Sequence, residues 1–291
     1  MKIGALVILY NPTEENITNI VNCLEKQVDK ICMVDNSDKD NSHLLSIDEK
    51  IIYFPLCQNV GIAGAQNKGI KYFIEHHFDY IISCDQDTTI GQDVVKRLLS
   101  TTLQLKSQNI NVGAVAPIGI DHNTQKPLSY STPKIKDITV GNLSLMEVYH
   151  TMNSMSLISV DLFKKVGLMD ETLFIDGVDC EWCWRAKHLL SARFFYDYNI
   201  KMNHTLGIST KKIGGREIHI TPSFRMYYQY RNFIWLAQRN YTPKRWIIRN
   251  GIKYIFKFFY FHRLLGNRWR FSHVMFSFLC RHNSRNGTRN V

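Results

Sequence analysis

Two aspartates one residue apart, Asp85 and Asp87, follow the apolar run Tyr80–Cys84. Carboxylates so spaced on a turn can hold one hard cation between protein and a diphosphate, because Mg²⁺ or Mn²⁺ prefers carboxylate and phosphate oxygens. A cation placed there neutralises a departing diphosphate. A second acidic cluster, Asp176, Asp179 and Glu181, lies between Gly167 and Arg185. Neighbouring carboxylates raise one another's pKa, which helps keep a proton acceptor near neutrality. The competing reading is an acidic helix N-terminus favoured by the helix dipole. Trp182 and Trp184 flank this cluster. At alternate helical positions they cannot point the same way, so one is expected in the core.

The elements that must position these groups alternate. Strand signals cover Ile3–Leu9, Lys30–Val34, Ile51–Phe54, Tyr80–Cys84 and Val112–Pro117, with helices expected near Glu14–Gln27, from the second half of the Gly-rich segment Asn59–Gly69 through about His76, and over Gln92–Lys106. This βαβ order implies a mostly parallel sheet flanked by helices, Rossmann-like in kind. In such sheets ligands bind beyond the carboxyl ends of the strands. Tyr10-Asn11-Pro12, Asp35-Asn36 and Asp85-Gln86-Asp87 each follow a strand directly, so three polar strand ends converge on one rim. The stretch from Asp121 to Glu147 is turn-rich and gives no clear element.

Between the strands lies Asn59-Val60-Gly61-Ile62-Ala63-Gly64-Ala65-Gln66-Asn67-Lys68-Gly69. Its glycines let backbone approach a base or ribose, although small residues at a helix entry also serve tight packing. Together with strand–Asp85-Gln86-Asp87, the opening strand with Tyr10-Asn11-Pro12, and Val34-Asp35-Asn36-Ser37, it resembles the large inverting family 2 of GT-A glycosyltransferases. The resemblance runs from about Met1 to Asn232. Phe174-Ile175-Asp176-Gly177-Val178-Asp179-Cys180-Glu181-Trp182 is similar to the rhamnosyltransferase branch, with Val178 where the family usually carries Glu.

The resemblance implies roles. Asp35 contacts a pyrimidine base, and Asp85 contacts ribose and metal. Asp87 binds Mg²⁺ or Mn²⁺ directly, with His204 as a further ligand. Tyr10, Asn11, Asn59, Gly64, Asn67 and Gln86 line the nucleotide-sugar pocket, and Arg231 reaches the diphosphate. Asp179 is the catalytic base, with Asp176 its rival. Such a base takes a proton from the acceptor hydroxyl opposite the leaving group. The implied donor is dTDP-L-rhamnose, and the acceptor a saccharide on undecaprenyl diphosphate, in O-antigen or similar surface polysaccharide assembly. A UDP-galactofuranose or UDP-hexose donor is the nearest alternative. A non-catalytic sugar-nucleotide- or nucleic-acid-binding protein is the alternative of another class.

Charge divides the chain. All 25 acids precede Ile218, whereas 14 of the 36 Lys and Arg follow Glu217, so the residues up to Glu217 carry −3 and the net +11 belongs to the C-terminal stretch. Nothing in this basic stretch resembles a nucleic-acid-binding motif, so no nucleic acid partner is expected. Lys244–Arg281 reads as helix broken near Gly266, with Arg245, Arg249, Lys253 and Lys257 recurring every four residues and Ile248, Ile252, Ile255 and Phe259 mostly opposite. Basic residues mixed with Trp, Phe, Tyr and Ile suit an anionic membrane surface. No run is long and apolar enough to span a membrane, and Ile3–Tyr10 reads as a strand, not a leader. The seven Cys are odd in number and scattered, as reduced thiols are.

The expected architecture is a catalytic GT-A domain over 1–222, its nucleotide half about 1–120 and its acceptor half about 121–222. A basic, helical, membrane-facing appendage covers 223–291. The expected place is peripheral, on the cytoplasmic face of a bacterial inner membrane.

Overall fold

The computed structural model describes residues 1–45, 48–121, 134–204, 210–213, 216–219 and 223–264, and the side chains of these except 120–121, 203–204, 210–213, 216–219, 223 and 257–264. The elements run β1 (Ile3–Leu9), α1 (Glu14–Leu24), β2 (Lys30–Asp35), β3 (Ile51–Pro55), α2 (Gly61–Glu75), β4 (Tyr80–Asp85), α3 (Val94–Ser107), β5 (Val112–Asp121), β6 (Lys134–Val140) and β7 (Leu143–Val148). There follow β8 (Leu157–Ser159), α4 (Val160–Val166), α5 (Val178–Leu190), β9 (Arg193–His204), β10 (Thr210–Ile213), β11 (Arg216–His219), α6 (Ser223–Ala237) and α7 (Lys244–Leu264). The chain divides into two compact units, Met1–Ile220 and Thr221–Val291.

In the first unit a nine-stranded sheet has the order β3-β2-β1-β4-β8-β5-β9-β7-β6. All its strands but β7 and β8 run one way, as the pairings β1/β2, β1/β4, β2/β3 and β5/β9 require. Every residue of β1 is buried, and β2 is buried from Ile31 onward, so these strands are continuous apolar runs covered on both faces. α1 starts where Thr13 accepts the Asn16 N–H while the Asn16 side chain accepts the Thr13 N–H, and it packs inward through Ile17, Ile20 and Leu24. On the core cluster of Val7, Leu9, Met33, Ile82 and Leu98 rests the flat support for the rim.

Two features add to the expected strands. Residues 134–148 of the unassigned middle form the hairpin β6–β7, turned at Gly141 with φ +59. β6 was hidden because it alternates half-buried with exposed Lys, Asp and Thr, the character of an edge strand. β9 continues past Tyr198 to His204, because an irregularity after Pro117 and Asp197 lets it re-pair with β5 from Lys201 onward.

The second unit holds α6 and α7, joined by aromatic contacts. Phe233 lies 5.7 Å from the Trp246 ring and 5.1 Å from the Tyr254 ring, and the Tyr230 hydroxyl donates to the Tyr254 carbonyl at 3.1 Å. The expected break near Gly266 lies outside the described residues.

Candidate active site

Parallel register aligns the strand ends. Leu9 pairs with Asp35 and Ile8 with Asp85, so the residues after β1, β2 and β4 leave the sheet side by side. Gln86 then ties two of these ends together. The Tyr10 N–H donates to Gln86 Oε1 at 2.8 Å, and Gln86 Nε2 donates to the Tyr10 carbonyl at 3.3 Å. Gln86, expected to line the pocket, thus clasps the backbone of Tyr10 at the rim. Tyr10 and Asn11 are exposed; Asn11 sits at φ +46, and its N–H donates to Ser37 Oγ at 2.7 Å.

Asp35 is fully buried, and its carboxylate already has four donors. Oδ1 accepts from the Ser37 N–H at 3.0 Å and from the Ser37 hydroxyl. Oδ2 accepts from Asn41 at 2.8 Å and Tyr53 at 2.7 Å. Four donors fill a carboxylate's lone-pair positions, so a base can meet Asp35 only by replacing one of them. Burial and the Asp35 bond push the Tyr53 hydroxyl far up, so Tyr53 remains a donor.

The β2 end is wired to α2. Asn36 donates to Asn59 Oδ1 at 3.0 Å and accepts the Val60 N–H at 2.9 Å, while Asn59 Oδ1 also accepts the Gly61 N–H at 3.0 Å. Gly61 stands at φ +80, where an added Cβ would meet the Phe174 carbonyl oxygen at 2.6 Å. That carbonyl accepts the Ile62 N–H at 2.7 Å. Gly61→Ala is therefore expected to cost about 2 kcal/mol, through strained backbone and a clash that backbone cannot relieve. A denaturant midpoint reads it. Gly64 lies in the next turn with its bare Cα against Val60, so it serves that close approach.

Phe174 has φ 63 and ψ −63, and the Ile175 N–H donates to the Leu173 carbonyl at 2.7 Å. This is a γ-turn of the rare positive-φ kind. Asp176 at φ 62 and Gly177 at φ 91 follow. Non-glycine residues held in such conformations store strain, and such strain concentrates at functional sites. The turn is pinned from α2 by buried Asn67, which donates to the Met169 carbonyl at 3.0 Å and to Glu171 at 2.8 Å, and accepts the Met169 N–H at 2.9 Å. Asn67, expected to line the nucleotide pocket, bonds this loop through both ends of its amide.

α5 begins directly after. Asp179 lies in its first turn, partly buried, with Oδ1 accepting the Cys180 N–H at 2.9 Å. Burial holds its carboxyl above the usual aspartate range, and the nearby charge of Asp176 adds to this against the Cys180 hydrogen bonds. Glu181 is different: fully buried, it takes Arg185 Nε at 2.9 Å and Nη2 at 3.0 Å. Arg185 also donates to the carbonyls of Val166 at 2.8 Å and Leu168 at 2.7 Å. Glu181 is a structural charge.

Trp182 and Trp184 are both core, which corrects the expectation of one. Trp182 donates to the Gly167 carbonyl at 2.8 Å, and Trp184 meets His150 edge-on at 5.7 Å. α5 buries residues on more than one face, so positions two apart are both covered. Burial lowers His150 to about 4, so it is neutral.

Residues 150–156 touch both the turn after β4 and α5. Thr151 hydrogen-bonds Cys183, one turn beyond Asp179. Ser154 Oγ lies 3.0 Å from Thr88 Oγ1, which accepts the Asp85 N–H at 3.1 Å. The turn after β4 is thus tied to Tyr10 through Gln86 and to Ser154 through Thr88, while the loop before α5 is tied to α2 through the Phe174 carbonyl and Asn67.

Asp87 is exposed and makes no hydrogen bond or ion pair with the described residues. Two hard carboxylates on one turn fit a divalent cation whose other ligands are phosphate and water oxygens. No group of three His, Cys, Asp or Glu gathers among the described residues. His204 ends β9 opposite Asp121, at the carboxyl end of the parallel strands, and its side chain lies outside the described set. Arg231 belongs to the second unit, its guanidinium 4.2 Å from the Trp235 ring and 4.6 Å from the Tyr228 ring. Arg245, Arg249 and Lys253 are exposed on α7, and the side chain of Lys257 lies outside the described set.

Residues 5–167 match the family described as glycosyl transferase family 2. The chain is 34% identical over 263 residues to dTDP-rhamnosyl transferase RfbF of Shigella flexneri, covering 86% of this chain and 84% of that one. It is 23% identical over 188 residues to the low-salt glycan biosynthesis hexosyltransferase Agl10 of Haloferax volcanii, covering 63% and 61%. Among solved structures it resembles GalNAc-T7 with UDP, GalNAc and Mn²⁺ (TM-score 0.55, 12% identity, 74% of this chain) and S. aureus TarS (0.53, 17%, 82%). The chain spans 45% and 40% of those two proteins, so the likeness is one of fold.

Proposed function

The chain belongs to glycosyl transferase family 2, and from that premise we propose that it moves L-rhamnose from dTDP-L-rhamnose onto a lipid-linked saccharide, with inversion. It is a glycosyltransferase of GT-A fold, using a nucleotide-sugar donor and a saccharide acceptor. The donor sugar is argued from the similarity to RfbF over most of both chains. The lipid carrier, undecaprenyl diphosphate, and a role in surface polysaccharide such as O-antigen extend that argument.

The observation that carries the mechanism is that residues 150–156 contact both the turn after β4, through Ser154 and Thr88, and α5, through Thr151 and Cys183. Asp85 and Asp87 would hold Mg²⁺ or Mn²⁺, whose charge offsets that of the departing dTDP. Asp35 meets the thymine by exchanging Asn41 or Tyr53 for a base N–H. Across the rim, Asp179 accepts the proton of the acceptor hydroxyl as its oxygen attacks the anomeric carbon. A carboxylate held above the usual range by burial is a better proton acceptor than an exposed one. The charge of Asp176, three residues earlier, adds to that effect.

The Gln86 clasp fixes the turn that carries both aspartates. Gln86→Leu keeps the volume and removes both bonds to Tyr10. Roughly tenfold of kcat/KM is expected to go with it, because small misplacements near reacting groups are costly. The concentration of Mn²⁺ giving half activity rises, while thermal stability falls by no more than about 1–2 kcal/mol.

The test is a donor panel. The full chain with Mn²⁺ and a lipid-linked saccharide is offered dTDP-L-rhamnose, UDP-galactofuranose and UDP-glucose, and product is followed by mass and anomeric configuration. Consumption of dTDP-L-rhamnose with inversion is expected. Preference for a UDP-sugar, or a retained configuration, overturns the reading.

A further inference from the structure

An amphipathic helix of an ordinary domain turns its large apolar residues inward. α7 buries aromatic residues against α6 but leaves a second apolar row in solvent. Ile248, Ile252, Ile255 and Phe256 are 65%, 52%, 59% and 71% exposed. The face toward α6 is built from Trp246, Gly251 and Tyr254 around Phe233. At about 3.6 residues per turn, Arg245, Arg249 and Lys253 run beside the exposed apolar row, not opposite it. This corrects the sequence expectation, which set bases and isoleucines on opposite faces. Both share one solvent side.

We propose that this face of α7 is a membrane-docking surface that lies in the plane of an anionic bilayer. The isoleucines and Phe256 enter the boundary between headgroups and acyl chains, and Arg245, Arg249 and Lys253 pair with lipid phosphates. Three observations select this occupant. No helix among the described residues, α7 included, is long and apolar enough to cross a membrane, so this face of α7 would meet a bilayer in its plane. No acid follows Glu217, so a second copy meeting this face about a two-fold axis would set like charges against one another. A nucleic acid backbone would use the bases and leave four large apolar side chains in water. A bilayer interface satisfies both rows. The surface stands apart from the reaction proposed above, and its test uses no donor.

The full chain is sedimented with phosphatidylcholine vesicles, with and without phosphatidylglycerol. Binding is expected only where phosphatidylglycerol is present. Replacing Arg245, Arg249 and Lys253 together with Gln is expected to weaken it roughly a hundredfold at low salt. Ile252→Ser with Ile255→Ser weakens it at low and high salt alike. Phe256→Trp provides an emission that shifts to the blue on the vesicles, and thermal midpoints report that each variant folds. Equal binding to neutral vesicles, an unshifted emission from the Phe256→Trp variant, or unchanged binding by the Gln variant overturns the proposal. So does self-association or nucleic acid binding in its place, lost with the same substitutions.

Discussion

Asp179→Asn is expected to lower kcat roughly a thousandfold, the scale of a lost general base, and to leave nucleotide affinity unchanged. The amide keeps the shape at the start of α5 and can still accept the Cys180 N–H. It cannot take a proton. The same change is expected to preserve or raise stability. Burial lifts the Asp179 carboxyl above its unfolded value, so folding favours the neutral form. Stability from this group is present at acid pH and is lost as pH rises through the folded pKa. At neutral pH the charged carboxylate is a cost, and the amide removes it. In the wild type, the acid limb of kcat against pH should lie above the ordinary aspartate range. Steady-state kinetics and a thermal melt of one variant check both halves. A loss of transfer accompanied by collapse of the fold would assign Asp179 to structure.

Glu181→Gln is expected to do the opposite. Glu181 is fully buried and held by two bonds from Arg185, which in turn holds the Val166 and Leu168 carbonyls ahead of the strained turn. Removing one partner leaves a largely buried guanidinium without its counter-charge, which costs about 3–5 kcal/mol. Against a typical total of about 5–15 kcal/mol this is a large share, and a fall in Tm of roughly 10 °C is expected. Replacing both partners, Glu181→Leu with Arg185→Met, should recover much of it, because apolar pairs often substitute for buried ion pairs. Calorimetry reads the difference. Unchanged stability with a thousandfold loss of transfer would make Glu181 the base instead. The two acids stand two residues apart on one helix, and these variants separate their roles.

The strands that carry the site were legible because covered parallel strands are unbroken apolar runs: β1, β2 and β4 end where Tyr10, Asp35 and Asp85 begin the polar rim. The acidic pair at Asp85 and Asp87 was legible for the same reason. What the sequence hid was the use of the amides. Asn36, Asn59, Asn67 and Gln86 look like ligand-facing residues in one dimension, yet each bonds backbone or another side chain across long separations. The γ-turn at Phe174 left no trace, since an aromatic residue is a poor prior for positive φ. The need for glycine at 61 follows from where the Phe174 carbonyl sits, and that is a tertiary fact. On α7 the periodicity was visible, but periodicity alone cannot say which face turns inward.

The most direct test is a crystal structure of the full chain with dTDP and Mn²⁺, read by the anomalous signal of the metal. The expected result is one Mn²⁺ peak bound by Asp87 and the diphosphate, with the Asp179 carboxylate one sugar ring away on the far side of the pocket. A metal held elsewhere, or an Asp179 carboxylate walled off from the space beyond the diphosphate, would contradict it.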